Sequence, residues 1–302
     1  MKIFYDRIKY RILLYFPFVI IKQIFKKGNS LKTPHFFILG SGRNGSTLLA
    51  TVLNAHKDIV IPPEQFVLPY AILRRYLFFF WSFKSWINNV KKLFLNKDKT
   101  TKWNLNLDNL SSQDNSIASL FNEIFTSYKN SKNPNAKYWG DKSPINTNFI
   151  KYIYPEFPTA KYIFLIRDPR DVMLSYKKFK GDKSAYQAFS LWKWNDSVKT
   201  LEYLQKRTNV LIVRYEDFVL DSEIELKKIQ SFLDIKIIDN LSTIKKSIST
   251  MGVSDMDHHQ NLNNPISASS VDKWKTQLPA KDLLHFNKHI KNKMLQFGYK
   301  FN

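Results

Sequence analysis

Short apolar runs alternate with stretches of helical spacing along this chain. Residues 35–39 (HFFIL) form the first run, and after a glycine-rich turn residues 47–53 show helical spacing with few helix breakers. The pattern recurs twice, with apolar runs at 161–166 and 210–213 and helix-like stretches at about 171–179 and 222–233. Buried strands that alternate with helices predict an α/β three-layer sandwich with a mainly parallel central sheet.

A polar cluster follows each predicted strand. Residues 40–47 (GSGRNGST) come after the first, 167–170 (RDPR) after the second and 214–217 (RYED) after the third. Ligands of such sheets bind beyond the carboxyl ends of the strands. We therefore expect the three clusters to meet at one edge of the sheet and to form the binding site there.

The region 68–96 departs from this alternation. It contains LFFFW at 77–81 among lysines and arginines, which suits either an acceptor-binding or membrane-contacting patch or a pair of core helices. Residues 97–116 and 254–270 are polar and rich in breakers, and we expect loops there. The sequence thus predicts one domain over residues 31–302, with a helical insertion on the acceptor side at about 68–135.

The N-terminal residues 1–30 form a basic, amphipathic segment. Its apolar run, residues 12–21, has about half of the roughly 20 residues needed to span a bilayer, and Pro17 interrupts it. Basic flanks around a short apolar stretch are typical of a helix lying on an anionic membrane surface. The other interpretation is a helix packed on the domain. On either interpretation we expect a cytoplasmic protein, in the first case peripheral at the inner face of the membrane.

Composition narrows the classes of partner. The 47 Lys and Arg against 25 Asp and Glu give a net charge of +22, which favours nucleotides, anionic lipid or acidic glycans without choosing among them. No nucleic-acid-binding module is recognisable, so we expect no nucleic-acid partner. The absence of cysteine excludes disulfides and thiolate metal sites, and no His/Asp/Glu cluster has ligand spacing. The predicted site therefore uses no metal.

The sharpest motif is the turn at residues 40–47. A strand that enters a glycine-rich turn and then a helix directs backbone N–H groups toward an anion. The spacing from Gly40 to Gly45 is close to the P-loop pattern, but Ser46 replaces the lysine that contacts a triphosphate. Arg43 offers a cation inside the turn instead. The turn thus predicts a phosphate site of a different kind, the alternative being a tight turn without a ligand.

This turn resembles the 5′-phosphosulfate loop of the sulfotransferases that use 3′-phosphoadenosine 5′-phosphosulfate (PAPS). That family's core pattern is (R/K)-x-G-(S/T)-T, and Arg43, Gly45, Ser46 and Thr47 match it. The resemblance implies a P-loop-like nucleotide-binding fold and PAPS as co-substrate. The residues of the turn implied to bind the donor are Ser41, Gly42, Arg43, Asn44, Gly45, Ser46 and Thr47.

Three later motifs extend the resemblance. Arg167 ends a strand and Ser175 follows eight residues on, as do the arginine and serine that grip the 3′-phosphate in the family. An arginine fork and a hydroxyl can both donate to one phosphate; a salt bridge at the strand exit is the alternative for this motif. Tyr215 is implied to contact the nucleotide. A purely structural role of the Glu/Asp pair that follows it is the alternative for this motif. Lys273 is implied to reach a phosphate with Trp274 packed behind it.

The acceptor side is most similar to the branch that includes the tyrosylprotein sulfotransferases and many bacterial relatives. In that branch a carboxylate after the first helix is the general base, and Glu64 stands at the matching position. A surface glutamate is the alternative for Glu64, and His56 is a rival base or a residue at the helix C-terminus. Lys142, in a turn that resembles the branch's lysine turn, is implied to share with Arg43 the charge developing on the leaving phosphate.

The resemblance implies in-line transfer of a sulfuryl group from PAPS to a hydroxyl or amine of a glycan, lipid or peptide. The serine-containing segment that precedes the closing lysine in tyrosylprotein sulfotransferases has no counterpart in residues 254–270, which leaves the acceptor open. Two other readings of the sequence are a small-molecule kinase of the P-loop type, which would depend on Mg–ATP, and a non-enzymatic basic protein that binds membranes or polyanions.

Overall fold

The computed structural model describes residues 31–241 and 266–300, apart from residues 32, 78–80, 96–102, 109, 111–114, 181–183 and 287. Its five strands form one parallel sheet in the spatial order β2-β3-β1-β4-β5. The strands are β1 (His35–Leu39), β2 (Ile59–Val60), β3 (Tyr138–Asp141), β4 (Lys161–Ile166) and β5 (Val210–Arg214).

Helices fill the connections between these strands. In chain order they are α1 (Ser46–Leu53), α2 (Val67–Leu77), α3 (Phe83–Leu95), α4 (Ile117–Lys132), α5 (Pro144–Asn148), α6 (Ile150–Ile153), α7 (Pro169–Lys180), α8 (Ser184–Gln205), α9 (Tyr215–Leu220), α10 (Ser222–Phe232), α11 (Trp274–Gln277), α12 (Ala280–Leu283) and α13 (Lys288–Gln296), with a 3₁₀ turn at Ala268–Ser270.

Each face of the sheet is buried in its own hydrophobic core. Phe37 and Leu39 of β1 join the larger core, whereas Phe36 and Ile38, which point to the opposite face, join the smaller one. Every residue of β1 is buried. This explains why β1 and β4 read as continuous apolar runs in the sequence, and it confirms the predicted three-layer α/β architecture.

The hydrophobic pattern of the sequence did not predict two of the strands, β2 and β3. Strand β2 has only two residues, and β3 reads YWGD, with a glycine and an aspartate among its four residues. Gly140 is required because a Cβ there would lie 2.4 Å from Cζ of Phe36, across the neighbouring strand. The close approach of Phe36 therefore explains the glycine that interrupts the apolar pattern of β3.

Helices α2, α3 and α4 lie between β2 and β3, where the sequence predicts the helical insertion. The interpretation of region 68–96 as a pair of core helices fits the structure: Trp86 of α3 is fully buried and its indole N–H donates to the carbonyl of Ala71 at 2.9 Å. Residues 78–80, the centre of the aromatic run, lie outside the described residues. That the insertion serves the acceptor stays a prediction.

The predictions for residues 1–30 and 254–265 also fall outside the described residues. The end of the second predicted loop forms the 3₁₀ turn at Ala268–Ser270. Across the part of the chain that the structure describes, no helix combines the length and the apolar character needed to cross a membrane.

Candidate active site

The glycine-rich turn between β1 and α1 has an unusual backbone. Gly42, Arg43 and Gly45 all have positive φ angles, of 76°, 56° and 89°. Gly45 also lies against an aromatic ring, since a Cβ there would come within 2.4 Å of Cδ2 of Tyr215. A glycine at this position is therefore needed both for its left-handed backbone and for the close approach of Tyr215.

Side chains of the turn and its neighbours fix this conformation. Asn44 Nδ2 donates to the carbonyl of Leu165 at 2.6 Å, and Ser41 Oγ donates to the carbonyl of Gly42 at 3.0 Å. Both side chains are buried. Ser41 and Asn44, predicted as donor-binding residues, thus direct their side chains into the protein, which leaves their backbone groups for contact with a ligand.

The first two polar clusters meet, as the parallel sheet requires. Arg43 Nε donates to Ser175 Oγ at 3.0 Å, and Arg167 Nη1 donates to the carbonyl of Arg43 at 3.2 Å. The Arg167 guanidinium also lies over the ring of Tyr215, 4.3 Å from its centroid. Residues from three strand ends therefore surround one point beside the turn.

The electrostatics at this point favour an anion. Burial is the largest influence on Arg43 and lowers the pKa of its guanidinium, and the nearby positive charge of Arg167 acts in the same direction. The buried Nε of Arg167 has no hydrogen-bond partner among the described residues. A buried, unsatisfied donor beside a second guanidinium fits a phosphate group, which accepts several hydrogen bonds at once.

The C-terminal segment closes over this site. Arg167 Nη2 donates to the carbonyl of Ser270 at 2.6 Å. The Asp171 carboxylate accepts the backbone N–H groups of Asp272 at 3.0 Å and of Trp274 at 2.9 Å. These contacts bracket Lys273 and hold it at the edge of the sheet where Arg167 emerges.

Trp274 packs on protein rather than on open space. The guanidinium of Arg170 lies 3.5 Å from the centroid of its ring. Arg170 is also paired in a bidentate manner with Asp168, with Nη2 to Oδ2 at 2.7 Å. The strand-exit salt bridge that was the alternative for the RDPR motif thus exists, but it belongs to Arg170, while Arg167 faces the turn.

In the third polar cluster, residues 214–217, one residue likewise faces the turn and another makes structural hydrogen bonds. Tyr215 packs between Gly45 and Arg167. Glu216 accepts the backbone N–H of Asp168 at 2.9 Å and the hydroxyl of Tyr299 at 2.8 Å. The structural interpretation of the acidic pair therefore holds for Glu216, and only Tyr215 faces the turn.

The predicted catalytic residues Glu64 and Lys142 are in direct contact. Lys142 Nζ lies 2.5 Å from Glu64 Oε1 and donates to Thr47 Oγ1 at 3.2 Å. The Lys142 side chain is fully buried, whereas 17% of the Glu64 side chain is exposed. Three distant segments of the chain thus form one contiguous cluster against the N-terminus of α1, with Glu64 on its accessible side.

The comparison with known proteins agrees with this geometry. Residues 34–239, more than two thirds of the chain, match the model of the Sulfotransferase family. The chain belongs to the sulfotransferase family.

Curated relatives are protein-tyrosine sulfotransferases. The protein-tyrosine sulfotransferase of Drosophila melanogaster is 26% identical over 82% of this chain and 48% of its own length. Protein-tyrosine sulfotransferase A of Caenorhabditis elegans is 25% identical over 83% of this chain and 64% of its own length. The chain therefore spans about half to two thirds of these relatives, which points to a shared core within longer proteins.

Solved structures share the fold. The sulfotransferase domain from the curacin biosynthetic pathway superposes with a TM-score of 0.63 at 23% identity, covering 90% of this chain and all of that one. A mouse sulfotransferase complexed with PAP, the desulfated form of PAPS, gives a TM-score of 0.50 at 17% identity, covering 93% of this chain and 90% of that one. These likenesses confirm the P-loop-like α/β fold predicted from the sequence.

In this sulfotransferase fold the rival base, His56, is occupied elsewhere. Its Nδ1 accepts the backbone N–H of Asp58 at 3.0 Å, and its Nε2 therefore carries the proton that it donates to the carbonyl of Lys236 at 2.8 Å. The ring is fully buried. Both ring nitrogens of His56 are thus bonded to backbone groups, which favours the interpretation of His56 as a residue at the C-terminus of α1.

Two further side chains, which the sequence did not indicate as site residues, approach the glycine-rich turn. A Cβ on Gly42 would lie 3.2 Å from the hydroxyl of Tyr176 and 3.4 Å from Nζ of Lys193. Tyr176 follows Ser175 on α7, so its position next to a predicted site residue was a usable signal. Lys193 lies on α8 between two tryptophans, where nothing in the local pattern indicated a site.

Within the described ranges, no group of three or more His, Cys, Asp or Glu side chains is arranged to hold a metal ion.

Proposed function

We propose that this chain transfers a sulfuryl group from PAPS to a hydroxyl or amine of an acceptor. The observation that carries the proposal is the convergence of Arg43, Ser175 and Arg167 on one side of the turn, with the Glu64–Lys142 pair on α1's N-terminus. The first group supplies donors for a nucleotide's phosphates. The second supplies a base and a cation for the transfer.

The donor would lie along the carboxyl edge of the sheet. Arg167, whose buried Nε lacks a partner among the described residues, and the hydroxyl of Ser175 are suited to the 3′-phosphate. The backbone N–H groups of the turn at residues 42–47 and the N-terminus of α1 are suited to the 5′-phosphosulfate. Tyr215 would pack against the donor site between Gly45 and Arg167. Lys273, on the C-terminal segment, would cover the site from the other side.

The transfer would be a displacement at sulfur. The acceptor oxygen or nitrogen forms a bond to sulfur while the bond from sulfur to the phosphate oxygen breaks, and PAP leaves. Glu64 takes the acceptor's proton, and Lys142 and Arg43 offset the negative charge that develops on the departing phosphate oxygen. The contact of Lys142 with both Glu64 and Thr47 supports this division of roles, because it joins the base to the phosphate loop.

The kinase alternative lacks support at one position. In a P-loop kinase a lysine at position 46 would contact the β- and γ-phosphates, and this chain has Ser46 there. Lys142 reaches Thr47 from the turn that follows β3, but it is paired with Glu64. The site therefore suits a phosphosulfate better than Mg–ATP.

The acceptor class can be found with a panel. The protein is incubated with PAPS and, in turn, a tyrosyl peptide, an aryl alcohol, an oligosaccharide and an aryl amine, and the release of PAP is measured. The expected result is acceptor-dependent PAP release by the wild-type protein for at least one class. No release of PAP from PAPS with any acceptor, together with acceptor-dependent release of ADP from Mg–ATP, would contradict the proposal.

We also propose that residues 1–30 bring the protein to an anionic membrane surface at the cytoplasmic face. The proposal rests on the basic flanks of the apolar run at 12–21. The test is co-sedimentation of the full chain with phosphatidylserine-containing vesicles. Binding should weaken in the Lys26→Glu/Lys27→Glu variant and persist with the exposed Lys206→Glu; no vesicle binding by the wild-type protein would contradict it.

A further inference from the structure

A buried aspartate lies directly beside the Glu64–Lys142 pair. Asp141 ends β3 and only 1% of it is exposed. Three side chains donate hydrogen bonds to its carboxylate: Ser143 Oγ at 2.6 Å, Asn146 Nδ2 at 2.7 Å and Gln65 Nε2 at 2.6 Å. Three hydrogen bonds hold the Asp141 carboxylate in one position, and they also fix the three side chains that donate them.

The hydrogen bond between Gln65 and Asp141 joins the two segments that carry Glu64 and Lys142. Asp141 immediately precedes Lys142, and Gln65 immediately follows Glu64. The bond between Asp141 and Gln65 therefore runs alongside the contact between Lys142 and Glu64. A second link, from the backbone N–H of Gln65 to Ser143 Oγ at 3.1 Å, joins the same two segments.

Gln65 also fixes the helix that follows it. Its Oε1 accepts the backbone N–H of Leu68 at 2.8 Å, in the first turn of α2. The side chain is completely buried and uses both ends of its amide. The loop that carries Glu64 is thus tied to β3 on one side and to α2 on the other.

We propose that Asp141 is a positioning residue of the transfer reaction, which holds the loop of Glu64 in register with Lys142 through Gln65 and Ser143. This inference rests on the proposed function, because it assigns Glu64 and Lys142 to the reaction. Asp141 itself is screened from the acceptor and acts through its neighbours.

The ionised form of Asp141 is the one that does this. All three side chains donate to it, so a proton on the carboxyl group would place a donor where an acceptor is needed. Burial raises its pKa to about 6, against the three hydrogen bonds and the charge of Lys142. The side chains bonded to it from the loop before α2 and from α5, Gln65 and Asn146, are neutral. The same loop carries the titratable Glu64, which contacts Lys142, and from β1 Asp141 pairs with the backbone of Phe37. Turnover should therefore fall as the pH drops below about 6.

The test uses the full chain with water as the acceptor, and measures PAP release from PAPS and the affinity for PAP. In Asp141→Asn one of the three donors meets an amide N–H₂ instead of an oxygen. We expect kcat to fall roughly 10- to 100-fold, as displacement of catalytic groups does, with the Kd for PAP within about twofold. The fall in kcat that Asp141 causes below about pH 6 should be lost, so that the acid limb keeps only the contribution from protonation of the base Glu64.

The matched control is Glu156→Gln. Glu156 is equally buried and accepts the hydroxyl of Tyr76 at 2.7 Å, beneath α2 but outside this network. It should lower the melting temperature without changing kcat or its pH profile. A structural effect of losing a buried carboxylate is thereby separated from an effect on the position of Glu64.

Two more variants keep the inference testable if Asp141→Asn folds poorly. Gln65→Met removes the same hydrogen bond from the other side and should lower kcat in the same range. In Asp141→Asn combined with Gln65→Glu, the amide donates to the new carboxylate, and at least part of kcat should return.

The outcomes separate the two claims. A wild-type protein that neither binds PAP nor releases it from PAPS contradicts the proposed function itself. A wild-type protein that does both, with kcat unchanged in Asp141→Asn and Gln65→Met, contradicts the positioning role and leaves the proposed function intact.

Discussion

The Asp171 carboxylate accepts the backbone N–H of Trp274 at 2.9 Å, and these residues are separated by 103 positions in the chain. The contact ties the C-terminal segment to the helix that follows Arg167. Since Asp171 also accepts the N–H of Asp272, it fixes both neighbours of Lys273. Asp171 therefore contributes, together with the bond from Arg167 to the carbonyl of Ser270, to closure of the proposed donor site.

Replacing Asp171 by asparagine should loosen this closure. The amide keeps one acceptor but presents N–H₂ to the second backbone N–H, so we expect roughly tenfold weaker binding of PAP. Calorimetric titration measures it. Asp272→Asn is the control: this residue is exposed and its positive φ of 57° suits asparagine. Equal affinities of the two variants would show that the clamp does not matter for the donor.

Gly45→Ala should damage the fold at the turn. The substitution forces a Cβ to within 2.4 Å of Tyr215 in addition to the strain of a φ of 89°. We expect a loss of about 2–4 kcal/mol of unfolding free energy, measured by chemical denaturation. Gly298→Ala has a φ of 77° but its nearest neighbour would lie at 3.8 Å, so it reports the strain alone. Equal losses in both variants would rule out the close approach of Tyr215.

The identity of the base is tested by a pair of substitutions. Glu64→Gln should lower sulfuryl transfer roughly 100-fold or more while the Kd for PAP stays within about twofold. His56→Asn should lower the unfolding free energy by about 1–2 kcal/mol, because both ring nitrogens are hydrogen-bonded, and leave transfer unchanged. The opposite pattern would make His56 the base.

Asp141 should also give the stability of the protein a characteristic pH dependence. Its pKa in the folded state, about 6, is higher than in the unfolded chain, so the folded state binds the proton more tightly. Its contribution to stability is therefore present at low pH and is lost as the pH rises from about 4 to 6. The difference in unfolding free energy between the wild type and Asp141→Asn should decrease over this window. A constant difference would contradict a raised pKa.

Stability and activity thus make opposite demands on Asp141. Burial makes ionisation of Asp141 cost the folded protein stability relative to the unfolded chain, whereas the hydrogen-bond network next to Glu64 requires the carboxylate. Such conflicts are expected at functional sites, where local energetic cost is compensated by packing elsewhere.

The parts of the fold that follow from hydrophobic pattern were predictable. Strands β1 and β4 agree with the predicted ranges to the residue, and their continuous apolar character follows from burial on both faces. Strand β3 was not predictable in this way, because Gly140 is set by the ring of Phe36 on the adjacent strand. Only the assembled sheet reveals that constraint.

The site was predictable where a residue lies in a motif at a strand end. Arg43, Arg167 and Tyr215 were found in this way, and the sheet brings them together. Asp141 and Lys193 were not found, since their roles arise from contacts with segments far away in the sequence. No local pattern contains such contacts.

The most direct test of the central claim is calorimetric titration of the protein with PAP, with Mg–ATP as the comparison ligand and Arg207→Ala, an exposed arginine, as the control variant. We predict micromolar binding of PAP, much weaker binding of Mg–ATP, and a loss of roughly 10- to 100-fold in Arg167→Ala but not in Arg207→Ala. No binding of PAP, or a preference for Mg–ATP, would contradict the assignment of this site to PAPS.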